Sequence, residues 1–308
     1  MKVSGWWAVL LLSGVALVRV QAQPTPPTGA PAPLLMEKLS AEGLENLFRV
    51  QPELYSGGQP TEQGFAELAK LGVKTVISVD GAAPDVELAH HYGLRYVHLP
   101  ISYGGVPEAR QLELAKALKT LPGPVYVHCH HGKHRGPAAT LAACRGLDSR
   151  VTGEAASAAL QKMGTATRYK GLYESVRTAR VASNFDLARI PAEFPESVAV
   201  PAMVQQMVAL DAAWERWLGA TDPNSGVVER DAVIVSLTEL EELLTEAGRL
   251  LKDDAPVGLK SQFEEAARHA KQERERLVDA PSLPEGGGLK DIAARLDKSC
   301  NDCHAKYR

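Results

Sequence analysis

Cysteine is scarce in this 308-residue chain, with only four, at positions 129, 144, 300 and 303. Two sit near the middle and two at the far end, which excludes a small disulfide-stapled domain and asks for a chemical explanation instead. An excess of one charge is lacking too. The 34 basic residues face 37 acidic ones, for a net charge of −3, so no global field draws in nucleic acid or an anionic membrane, and any cationic site has to be local. The N-terminus has Lys2, an apolar run over residues 6–18 and then Val20-Gln21-Ala22. That run is short for a bilayer span, and with the small residues after it the pattern is that of a cleaved export signal. Residues 1–22 therefore read as a signal peptide, and the protein as periplasmic or otherwise exported, without stable membrane insertion.

The pattern then changes along the chain. Residues 23–44 begin with QPTPPTGAPAP and read as a proline-rich linker. Over 45–182, strand-like runs (74–79, 94–99, 124–128) alternate with helical stretches (62–71, 84–91, 107–121), and three further helical stretches follow (135–147, 153–163, 171–182). Strands separated by helices predict an α/β domain with a central, mostly parallel sheet. Residues 183–200, punctuated by Pro191 and Pro195, read as a second linker. Beyond them no strand signal survives. Met203, Met207, Leu210 and Trp214, then Val233, Leu237, Leu240 and Leu244, then the stretch 259–278, then Leu289, Ile292, Leu296 and Cys300 keep helical spacing. Residues 201–308 therefore predict an all-α, antiparallel four-helix bundle.

One stretch of the α/β domain carries chemistry. Residues 127–136 read VHCHHGKHRG: a strand ends in His128-Cys129, five residues pass, and Arg135 opens a helix. Successive N–H groups in such a loop can curl round an oxyanion, the helix presents its positive end, and the arginine offers a two-pronged fork. The same field favours the thiolate that attacks phosphorus. A zinc site is the competing reading of so many histidines, and neighbouring side chains in a tight turn are expected to diverge rather than converge on one ion. The Walker spacing GxxxxGK[ST] is absent. Cys144 lies nine residues up the helix from Arg135, roughly 13 Å at the helical rise, too far for a disulfide to Cys129.

The His-Cys-x5-Arg signature resembles that of the protein tyrosine and dual-specificity phosphatases. It more closely resembles the plant and fungal type of atypical dual-specificity phosphatase, whose loop also carries the Gly-Lys-His-Arg found here at 132–135. The entry LYSGGQP at 54–60, followed by Phe65, Leu68 and GVKTVI at 72–77, is similar to the start of such domains. The resemblance covers residues 45–182. It implies Cys129 as nucleophile, Arg135 as phosphate clamp, Lys133 as an extra phosphate contact, and His130, His131, Gly132 and His134 as the rest of the phosphate-binding loop. Two positions depart from the family: Gly136 stands where a hydroxyl usually follows the arginine, and the loop 101–106 (ISYGGV) lacks the general-acid aspartate. Asp80 and Asp85 are candidate substitutes from other loops. General acid catalysis is worth roughly 10² to 10⁴-fold, so its loss matters least for good leaving groups.

The other cysteine pair ends the chain in Cys300-Asn-Asp-Cys303-His304, the attachment pattern of a c-type haem. On a helix these three side chains share one face, so two thiols and an imidazole approach a macrocycle from one side. The motif's place in the last helix of a bundle resembles class II cytochromes c, the cytochrome c-prime type. That resemblance covers 198–308 and implies His304 as proximal iron ligand, Met203 or Met207 as candidate sixth ligand, and a homodimer as candidate assembly. His269 is expected to be exposed and unrelated.

Together these readings predict an exported phosphatase with a covalent haem c. Its partners would be a phosphorylated small molecule or phosphoprotein and a redox protein, with no nucleic acid. Two other readings stay open: an anion-binding loop without turnover attached to an electron carrier, and a thiol or sulfur redox protein using Cys129 and the haem.

Overall fold

In the computed structural model, residues 34–222, 224, 228–284 and 288–307 are described. The expected signal peptide, residues 1–22, and residues 23–33 of the expected first linker lie outside them. Six strands form one sheet in the order β1-β2-β3-β6-β4-β5: β1 (Glu37–Lys38), β2 (Phe48–Gln51), β3 (Leu54–Gly57), β4 (Thr75–Ser78), β5 (Arg95–His98) and β6 (Val125–His128). The four strands β3, β6, β4 and β5 run parallel, as expected, while β1, β2 and β3 form an antiparallel meander that the alternation pattern did not show. The sheet is thus mixed.

The period of two along each strand sorts side chains onto two faces. Val125 and Val127 of β6, Ile77 of β4 and Val97 of β5 enter one apolar cluster, with helices α3 (Glu108–Thr120), α4 (Arg135–Leu147), α5 (Gly153–Lys162) and α6 (Lys170–Thr178). Tyr126, Val76 and Tyr96 enter the other, with Phe65 and Leu68 of α1 (Glu62–Lys70) and Ala89 of α2 (Val86–His91). Strands β4 and β6 are buried along their whole length, the usual state of central parallel strands covered on both faces. Their carboxyl ends point the same way, which is where open α/β sheets hold ligands.

Both linker boundaries need correction. The domain starts before residue 45: β1 pairs with β2, and Met36 and Leu44 are buried. Residues 183–200 do not hang free either. They form the short helix α7 (Asn184–Ala188), bury Leu187 and Phe194, and run along the sheet's edge, where the His98 N–H donates to the Pro195 carbonyl and the Val198 N–H donates to His98 Nδ1. Prolines stop helices but do not prevent packing, so the composition read as a linker.

Among the described residues, the C-terminal region is four helices as predicted: α8 (Ala202–Thr221), α9 (Arg230–Arg249), α10 (Leu259–Asp279) and α11 (Gly288–Tyr307). Sequence neighbours run antiparallel: Gln206 and Arg216 of α8 bond Leu243 and Glu239 of α9, while Arg295 and Tyr307 of α11 reach Glu273 in the second half of α10 and Val257 just before its start. Helix α11 also meets α8. The bundle core runs from Trp217 and Val233 through Phe263 to Ile292 and Leu296.

Candidate functional site

Three chain segments meet at the carboxyl edge of the sheet. Strand β6 ends at His128, and residues 129–134 loop over into α4, which begins at Arg135. Helix α4 suits an anion at its start: its first turn holds no acidic residue, and Pro137 occupies a position whose N–H would have no helical partner. Among the described residues, no backbone N–H from His131 to Arg135 donates to another protein group. A curl of unpaired N–H groups at a helix N-terminus is a ready cradle for an oxyanion.

The loop's outer side is strapped down. Gly132 has a φ of 65°, and a side chain there would collide with Gly57 and Gly58. The Gly132 carbonyl accepts from Asn46 Nδ2, which also donates to the Met163 carbonyl. Asn46 is itself left-handed at φ 47°, a conformation that asparagine tolerates better than most residues. Gln59 N–H donates to the His130 carbonyl, and the Thr165 hydroxyl to the Lys133 carbonyl. With these carbonyls tied outward, the N–H groups are left to face inward.

Asp80, just past β4, organises the centre. Its Oδ2 accepts from Arg135 Nη2 at 2.8 Å and from the His130 N–H at 2.6 Å, and its Oδ1 accepts from the Ala82 N–H at 3.0 Å. Asp80 is 1% exposed and Arg135 6%. Burial alone would raise the Asp80 carboxyl, but Arg135 beside it, with the Ala82 and His130 N–H groups, holds it below its ordinary value. It is a carboxylate with its lone pairs engaged. That removes Asp80 as a general acid and makes it a positioning residue; Asp85 is removed too, since it caps α2 through the Leu88 N–H. Tyr103, from the loop after β5, lies over the guanidinium at 4.4 Å. Arg135 Nε is enclosed and has no protein partner, as a group reserved for an anion would be.

Cys129 is 2% exposed and a free thiol. A Cβ added at Gly136 would lie 3.5 Å from its Sγ, so a side chain at position 136 would adjoin the Cys129 thiol. Cys144 is also free and buried in α4, its thiol pushed up to about 12 by burial. It is core, as expected.

The histidines behave differently from a uniform cationic lining. His128 is buried, with Nε2 on the Tyr96 hydroxyl, and burial pushes it down to about 4. His134 packs at 4.6 Å from Tyr169 and is also pushed down to about 4, by burial first and then by neighbouring cations. Both are neutral near pH 7. The His130 N–H is spent on Asp80, so it does not serve phosphate. The rings of His130 and His131 turn away from the cradle and meet Asp211 and Glu215 of α8. Adjacent side chains that were expected to diverge therefore converge on one glutamate. Lys133 is exposed on the loop's rim.

Residues 38–180 match the family model described as DSP-PTPase phosphatase fused to NAD+ Kinase. The dual specificity protein phosphatase TpbA of Pseudomonas aeruginosa (strain UCBPP-PA14) is 35% identical over 100 residues, covering 29% of this chain and 42% of that protein. Residues 38–180 thus form a phosphatase-like domain related to TpbA. The matched part of this chain spans less than half of those curated relatives. The crystal structure of P. aeruginosa TpbA is similar at 25% identity, covering 53% of this chain and 98% of that one with a TM-score of 0.42. A variant of it in complex with pTyr is similar at 23% identity, 54% and 100% coverage and a TM-score of 0.41.

Outside the phosphatase domain, α11 carries Cys300, Cys303 and His304 on an unbroken helix, at i, i+3 and i+4. Both cysteines are free thiols; Cys300 and His304 are exposed and Cys303 half-buried. The bundle is thinly packed on this side. Helix α9 buries seven residues, whereas α8 buries only Ala213 and Trp217, and α11 only Ile292 and Leu296. Met203, Met207, Leu210, Trp214 and Leu289 stay half-buried against the core, and Trp217 Nε1 is enclosed without a partner. Two free thiols and an imidazole beside a loosely covered apolar face fit a covalently held haem, with Met203 and Met207 both on the helix that would flank it. His269 is exposed, as expected.

Proposed function

We propose that this protein is an exported, cysteine-dependent phosphatase whose catalytic domain is joined to a c-type cytochrome bundle. The observation that carries the enzymatic reading is the cradle itself. The N–H groups from His131 to Arg135, in the loop that follows Cys129, have no protein acceptor, and Arg135 is held by Asp80 with Nε left over. In the first step, the Cys129 thiolate attacks phosphorus, the P–O bond to the leaving group breaks, and that oxygen departs with the electron pair, taking a proton from water. In the second, water attacks the cysteinyl-phosphate, the P–S bond breaks, and the thiolate and inorganic phosphate are released. The backbone N–H groups and Arg135 stabilise the charge that develops on the equatorial oxygens.

No aspartate stands on the 101–106 loop, so leaving groups that need no protonation are favoured. That points to aryl phosphates, phosphotyrosine among them, and to phosphoanhydrides. The relative TpbA is named a dual specificity protein phosphatase and has been crystallised with pTyr, which agrees with the aryl class. For the bundle, Cys300 and Cys303 would hold the haem through thioethers and His304 would bind its iron; the group would supply electron transfer or gas binding.

The test is hydrolysis of an aryl phosphate and a phosphotyrosine peptide by the purified mature chain beside Cys129→Ser, together with oxidised and reduced absorption spectra. Turnover lost in Cys129→Ser supports the enzyme; phosphate binding without turnover in the wild type would leave a non-catalytic anion-binding domain. Reduction of the chromophore by a thiol or sulfide, dependent on Cys129, would instead identify a sulfur redox protein.

A further inference from the structure

Helix α8 serves two neighbours. One side packs into the bundle through Ala213 and Trp217. The stripe at Val204, Asp211 and Glu215, spaced i, i+7 and i+11, faces the phosphatase loop: Val204 lies against Gly81, and the two carboxylates meet the histidines that follow Cys129.

The polar contacts at this junction are unusual for a neutral imidazole. His131 has a carboxylate oxygen against each ring nitrogen, Glu215 Oε1 at 3.1 Å from Nδ1 and Asp211 Oδ2 at 3.2 Å from Nε2. A neutral ring carries one N–H, so its other nitrogen would set a lone pair against a carboxylate. Either the ring is an imidazolium or a cation lies between Nδ1 and Glu215. A second imidazole favours the cation: His130 Nε2 comes to 3.3 Å from the other Glu215 oxygen, so two imidazoles share one carboxylate. One donor atom from each of His130, His131 and Glu215 lies within 4.8 Å of the others. A metal-bound histidine commonly donates its remaining N–H to a carboxylate that fixes the ring, and Asp211 stands where that partner belongs.

We propose that His130, His131 and Glu215 bind a divalent d-block ion of the zinc class, with Asp211 orienting His131, so that the ion fastens α8 to the catalytic loop. Two imidazoles and a carboxylate suit zinc in preference to magnesium or calcium, and they leave a fourth position for water. The side chains are 23% to 46% exposed, so an ion can enter and leave. The site does not use Cys129 or Arg135, and it stands whether or not the loop turns phosphate over.

Zinc binding to the chelator-treated full chain, measured by equilibrium dialysis with metal analysis, tests this. Thiols also bind zinc, so the reading is the difference between proteins with the same cysteines. Glu215→Gln is expected to hold one zinc fewer per chain than wild type. Asp211→Asn is expected to keep that zinc with roughly 10- to 100-fold weaker affinity, the usual effect of removing such a partner. Circular dichroism in the absence of zinc checks that both variants fold, and if Glu215→Gln does not, the affinity of Asp211→Asn decides. Equal zinc content in wild type and Glu215→Gln, or unchanged affinity in Asp211→Asn, would overturn the metal site and leave an imidazolium ion pair.

Discussion

Asp80→Asn is the substitution that most sharply probes how the phosphatase site is built. The wild-type carboxylate is almost wholly enclosed, pairs with an arginine 6% exposed, and accepts two backbone N–H groups as well. In the variant one acceptor oxygen becomes an NH₂ group, and if it faces Arg135 and the His130 N–H, three donors crowd together while the guanidinium charge is left unpaired. Removing one partner of a buried ion pair costs about 3–5 kcal/mol. For a domain of this size that lowers the melting temperature by roughly 6–20 °C. The pH dependence carries the same signature. Asp80 titrates below its unfolded-state value in the folded protein, so its stabilisation is fully present above the unfolded pKa, about 3.9 for aspartate, and is lost as pH falls through the folded one. Wild type should therefore lose stability below about pH 4 more steeply than Asp80→Asn. Turnover of an aryl phosphate should fall roughly a hundredfold, because Arg135 loses the contact that aims it. Thermal melts from pH 3 to 7, with steady-state kinetics at pH 7, read all three. A variant that melts within about 1 kcal/mol of wild type, with the same acid slope, would refute the claim that this pair holds the site together.

Other expectations follow from single contacts. Gly136→Ser puts a hydroxyl beside Cys129 Sγ, against a backbone contact of 3.1 Å to the Cys129 nitrogen; if the loop gives by a few tenths of an ångström, cysteinyl-phosphate breakdown should quicken roughly tenfold, the worth of one hydrogen bond to a charged group, as seen in pre-steady-state bursts. Asn46→Ala strips a donor from the Gly132 and Met163 carbonyls and should cost about 1–3 kcal/mol in denaturant unfolding, with weaker phosphate binding by calorimetry. Replacing both Cys300 and Cys303 by Ala should leave any haem extractable from the denatured protein, whereas wild type should retain its chromophore through denaturing electrophoresis. If Met203 or Met207 ligates iron, its replacement by Ala alone will change the reduced spectrum, and replacement of the other will not.

What was legible in the sequence is what local pattern can carry. Strands β4, β5 and β6 announce themselves by alternation, and the bundle by apolar spacing through Trp214, Leu237 and Leu296. The Cys129-to-Arg135 interval and the 300–304 motif stand out because their chemistry needs fixed spacing. The antiparallel meander did not show, because β2 and β3 are four residues each and separated by Pro52. Asp80 could be noted only as an acid near a strand end; its role depends on β4 lying beside β6, a sheet-order fact. The partnership of His131 with Asp211 spans 80 residues and two differently folded regions, beyond any periodicity. The neutral state of His128 and His134 follows from burial, which a run of histidines does not reveal.

The central claim is that Cys129 forms a covalent bond to phosphorus. Acid quenching of the purified protein mixed with an aryl phosphate, followed by mass spectrometry of the peptide containing residue 129, tests it most directly. A phosphoryl adduct on Cys129 that appears within the first turnover, and is absent from Cys129→Ser, is the expected result. Aryl phosphate hydrolysis that persists in Cys129→Ser, or a wild-type enzyme that forms neither adduct nor product, would contradict it.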